Sequence, residues 1–133
     1  MNWFFIIAGA LTLLALPFHV WGGEYTLRRT PTEAFPNIPN GDSSIAKQEI
    51  RFGWHIGSID FLVSGSVLLI TGLTNWVEPA HIVGRLIATY FFGYSFVIAI
   101  VPALSLRRLE PLRRCPQWVL ALSIALLAWL GGG

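Results

Sequence analysis

Six side chains in the first half of the chain can bind ligands, carry protons or hold a metal: His19, Glu24, Arg51, His55, Ser58 and Asp60. Arg51, His55 and Ser58 recur at i, i+4 and i+7, which places a guanidinium, an imidazole and a hydroxyl on one face of a helix. His19 and Glu24 lie at the end of the preceding apolar stretch, so antiparallel neighbours would bring all five groups together. Two imidazoles at matched depth on adjacent helices are what bis-histidine ligation of haem b requires. His19 and His55 are therefore the candidate metal ligands. With Arg51 and Ser58 they would equally hydrogen-bond a quinone headgroup. Asp60 lies nine residues past Arg51, about 13 Å deeper along the helix. A carboxyl there is protonated by desolvation or faces a partner. Plainer roles exist for each residue: a snorkelling anchor for Arg51, surface hydrogen bonding for each histidine, and an i,i+4 pair with Arg28 for Glu24.

The elements that must position these groups are read from hydropathy. Of the 133 residues 54% are hydrophobic and only 12% charged, with mean hydropathy +0.62, whereas soluble domains carry about 25% charged residues. Long, mostly apolar stretches, interrupted in the middle only by Asp60 and Arg85, predict four spans, at about 2–21, 50–76, 82–104 and 117–130. Trp3 and Trp21 bracket the first over about 27 Å of helix, and Trp54 and Trp76 bracket the second over about 33 Å, as interfacial belts do. Helices are expected throughout, because lipid satisfies no backbone polar group. The fold expected is all-α, a four-helix transmembrane bundle in one domain.

All of the nine Lys and Arg residues except Arg85 fall in the first and third connections or at their edges. Basic loops resist translocation, so the loop at 22–49 and the basic elbow Arg107 to Pro116 are placed in the cytoplasm and both termini on the non-cytoplasmic side. The apolar start lacks the basic n-region and small-residue cleavage site of a signal peptide. In the first connection Pro31, Pro36 and Pro39 precede a turn and helix start at Asn40 to Ser44, and 45–51 is helix-compatible up to the second span. Glu78 to His81 is a short turn that makes spans two and three antiparallel neighbours. Gly53 and Gly57 form a GxxxG step suited to close helix packing. His81 and Arg85, with Glu78, form an outer cluster. Pro17 and Pro102 are candidate kinks. Cys115 is the single cysteine, and no Cys-x-x-Cys, His-Glu-x-x-His or phosphate loop is present, which argues against enzymatic machinery of those kinds.

The run His19-Val-Trp-Gly-Gly-Glu24, followed by Arg51-Phe-Gly-Trp54-His55-Ile-Gly-Ser58, resembles a pattern of small four-span bacterial membrane proteins of unassigned function. That resemblance covers the first half of the chain and implies a place in the bacterial cytoplasmic membrane but no mechanism. Three functions compete. One is a binding or accessory subunit of a larger membrane complex, with a polar pocket at the cytoplasmic ends of spans one and two formed by His19, Glu24, Arg51, His55 and Ser58, and with Asp60 as a further ligand-binding candidate deeper in span two. Another is a redox subunit holding haem b or quinone through His19 and His55. The third is a proton-coupled transporter in which Asp60 titrates. The partners expected are the lipid bilayer and other membrane subunits or a second copy, with no nucleic acid.

Overall fold

The computed structural model describes residues 1–35, 43–106 and 117–133. Four helices carry these residues: α1 Trp3–Arg29, α2 Ser43–Leu73, α3 Ala80–Leu106 and α4 Gln117–Gly131, with a 3-10 turn at Thr32–Ala34. No strand occurs among the described residues. The first three helices are long and apolar enough to cross a membrane. Their large exposed side chains, among them Phe4, Leu14, Ile59, Leu86 and Phe96, would face water in a soluble protein. The fold is all-α and belongs to a small integral membrane protein. The fourth helix is apolar throughout and shorter, about 22 Å at helical rise.

The end of α1 differs from the sequence expectation, whereas the start of α2 falls within the helix start expected at Asn40 to Ser44. α1 does not stop at Gly22-Gly23 but continues to Arg29, where Thr26 and Thr30 donate back to the carbonyls of Gly22 and Thr26. α2 begins at Ser43 and runs unbroken through 45–51 into its apolar part. Much of the segment expected as a loop at 22–49 is thus helix. The proposed turn at 40–42, Pro36 and Pro39, the basic elbow and Cys115 lie outside the described residues.

Two compact units divide the described chain. The first comprises Met1–Leu11 and Ser64–Gly133. Its packing rests on small residues. A Cβ on Gly9 would lie 2.8 Å from the Gly65 carbonyl oxygen and the Leu69 nitrogen, so α1 meets α2 backbone to backbone. Phe5, fully buried, fills the notch left by Gly84 and Gly131. On α4, Ala121, Ile124, Ala125 and Ala128 form the buried stripe, and Ser95 of α3 donates to the Trp118 carbonyl at 2.9 Å. Asn2 ties three elements together. Its side-chain oxygen caps α1 by accepting from the Phe4 and Phe5 amides, its side-chain nitrogen donates to the Gly131 carbonyl, and its own amide donates to the Gly72 carbonyl.

The second unit, Thr12–Val63, is an antiparallel pairing of the end of α1 with the start of α2. The register is fixed by four contacts: Lys47 to the Thr30 carbonyl, Arg51 and His55 each to Glu24, and Trp54 to the His19 carbonyl. This unit carries all six candidate residues.

A candidate functional site around Glu24

Glu24 lies three residues past Trp21, which is 71% exposed as an interfacial belt residue should be. From the last turns of α1 its carboxylate faces a row of cations on α2. Lys47, Arg51 and His55 repeat at i, i+4 and i+8 on the face turned to α1. Lys47 Nζ donates to the Thr30 carbonyl at 2.7 Å, satisfying a carbonyl at the C-terminal end of α1, where the helix dipole favours positive charge. Arg51 Nε lies 2.9 Å from Glu24 Oε1. His55 Nε2 lies 3.1 Å from the same oxygen and must donate, since an ionised carboxylate only accepts. Arg28, one turn along α1, donates through Nε to Oε2 at 3.2 Å. One carboxylate therefore serves three cationic or donor groups drawn from two helices.

The contact with Arg51 is a pair of charges without a hydrogen bond. Its Nε is buried, yet the N–H is not directed at the nearby oxygen and has no acceptor among the described residues. The donation from His55, then those from Arg28 and the charges of Arg51 and Arg28, hold the Glu24 carboxyl below its ordinary pKa, against a smaller opposing effect of burial.

His19 sits in the next layer. Its ring stacks on Trp54, with centroids 4.5 Å apart and planes 9° from parallel, and is tilted against Phe61 at 5.1 Å. Trp54 Nε1 donates to the His19 carbonyl at 2.8 Å. Trp54 is therefore not an interfacial belt residue. Its indole occupies the space that a side chain at position 23 would take, so Gly23 is required by the ring that crosses it. Pro17 lies inside α1 and, lacking an N–H, cannot donate to the carbonyl of Leu13 four residues back. His19 Nε2 is buried and has no partner among the described residues.

The structure thus gathers Glu24, Arg51 and His55, with His19 beside them against Trp54. It does not add Ser58 to the carboxylate: that hydroxyl is buried and donates to the Trp54 carbonyl at 3.3 Å, four residues back in its own helix. Asp60 is half-buried on the Gly53 side of α2 and has an interaction of its own. His55 presents to Glu24 the Nε2 that ligation would use, and no group of three or more His, Cys, Asp or Glu side chains is assembled for a metal ion among the described residues. Sequence reasoning missed the inward role of Trp54 and the part played by Lys47. The i−4 spacing of Lys47 from Arg51 carried that signal.

The other candidate features have structural uses. Glu78 accepts from the Ala80 amide and so caps α3, while Arg85 lies 5.8 Å from the Trp129 ring centroid. Gly53 of the GxxxG step has open space where a Cβ would be. No protein-family model, curated protein or solved structure matches this chain.

Proposed function

We propose that this small integral membrane protein is an accessory subunit of a larger complex in the bacterial cytoplasmic membrane, with the Glu24 cluster on the cytoplasmic side. The observation that carries the reading is the open face of α2. Gly53 lies on the side of the helix away from Arg51 and His55, and beyond its own stretch of helix no atom of the described residues comes within 4 Å of the position its Cβ would occupy. Exposed Phe52 and Ile56 adjoin it. A glycine on an apolar face lets a second helix approach closely, while the Glu24 contacts hold α2 in place from the other side. The basic bias of the connections supports the orientation. Native electrophoresis of membranes solubilised in mild detergent tests this. Migration well above 14.8 kDa together with other proteins is expected, and Gly53→Leu should release the chain. Migration of the wild type by itself overturns the reading.

A redox role is the second reading, supported by the buried, unpartnered Nε2 of His19 stacked beside Trp54. A haem b iron or a quinone carbonyl would supply the missing partner. A Soret band, or quinone in the lipid extract of the purified protein, is the expected result. The absence of both removes this reading.

A further inference from the structure

We infer that Arg28 and Arg51, spaced by their shared contact with Glu24, form a binding site for the phosphate of an anionic phospholipid headgroup. Each guanidinium offers five N–H donors in a planar fork. Arg28 uses Nε alone on Glu24, and Arg51 approaches the carboxylate through Nε alone. Only their Nε atoms contact Glu24, and no partner is recorded for their Nη groups among the described residues. Facing each other across these two helix ends are one carboxylate, Glu24, and the cations Arg28, Arg29, Lys47 and Arg51, while Glu49 lies on the other side of α2. Two of those cations are occupied elsewhere, Lys47 by the Thr30 carbonyl and Arg29 by the face of Tyr25, 4.2 Å from its ring centroid. The surplus charge open to a ligand therefore falls on Arg28 and Arg51.

Position selects a lipid over a soluble anion. Both arginines lie just beyond exposed Trp21, at headgroup depth for a helix that crosses the bilayer. Arg28 is 76% exposed and Arg51 41%, so a headgroup reaches them without displacing protein. Arginine forks match phosphate oxygens two at a time. The cytoplasmic leaflet, where the basic bias places this end, is the anionic one. The inference rests on the membrane orientation and not on the presence of a partner subunit.

Native mass spectrometry of the purified full-length chain tests it, with phosphatidylglycerol, phosphatidylcholine or inorganic phosphate added separately. Retention of phosphatidylglycerol above phosphatidylcholine is expected. Arg28→Gln and Arg51→Gln should each reduce that preference about fivefold, and Arg85→Gln should leave it unchanged. Should Arg51→Gln fail to fold, as judged by lost helicity, Arg28→Gln decides, because its exposed side chain is not needed for packing. Equal retention of the two lipids, an unchanged preference in Arg28→Gln, or an equal loss in Arg85→Gln overturns the site. Displacement of the lipid by millimolar inorganic phosphate identifies a free-anion site and overturns the lipid assignment.

Discussion

His55 Nε2 on α2 lies 3.1 Å from Glu24 Oε1 on α1, joining two helices whose sequence positions are separated by a proline-containing connector. Together with Arg51 and Lys47 this contact makes one face of α2 address the end of α1. The pairing is the frame on which every functional reading of the chain depends.

Removing the carboxylate charge leaves Arg28, Arg51 and His55 without their common partner. Glu24→Gln should lower the thermal midpoint of the purified protein. The drop should be smaller than for loss of the Trp54 ring, because partly exposed ion pairs are screened by water. Circular dichroism melts of the two variants check the order.

The same carboxylate gives a pH dependence of known sign. Its pKa is lower in the folded protein than in the unfolded chain, so the unfolded state binds the proton more readily. The stabilisation is complete above the ordinary carboxylate range and is lost as pH falls through the lowered folded value. Thermal midpoints measured from neutral to acidic pH should fall below that range in the wild type and fall less in Glu24→Gln.

Trp54 contributes both a ring and a donor. Trp54→Phe keeps an aromatic surface against His19 but removes the bond to its carbonyl, an expected cost of about 1 kcal/mol. Trp54→Ala also removes the packing, at about 3 kcal/mol. Denaturation in detergent at fixed composition distinguishes the two.

Glycines that look alike in sequence should respond differently. Gly9→Ala places a methyl against the backbone of α2, which cannot yield without separating the helices, so a loss of about 1 to 3 kcal/mol is expected. Gly53→Ala enters open space. In the isolated chain it should be neutral or slightly stabilising, since alanine is the better helix former. Melting of both variants checks the contrast.

The helices themselves were legible in the sequence because hydropathy over a long window integrates many residues, and three spans follow from it. The end of the first was not: its span was expected to stop near residue 21, yet the helix runs on to Arg29, with Gly23 leaving room for the Trp54 ring. The i, i+4 spacing of Arg51 and His55 showed which face of α2 meets Glu24. The same spacing misled for Ser58, because periodicity reports a direction and not whether a hydroxyl is already bonded to its own helix. Trp54 was read as a belt residue because tryptophan at a span end has two roles, and only the opposing glycine distinguishes them. The tethering by Asn2 left no pattern in the sequence, since its partners, Gly72 and Gly131, are distant along the chain.

The facing of Glu24 and Arg51 is tested most directly by thiol cross-linking in reconstituted membranes, in a background where Cys115 is replaced by serine. Glu24→Cys paired with Arg51→Cys should be joined by a short bifunctional reagent, and Glu24→Cys paired with Gly53→Cys, on the opposite side of α2, should not. Equal cross-linking of the two pairs, or cross-linking through position 53 alone, would contradict the account.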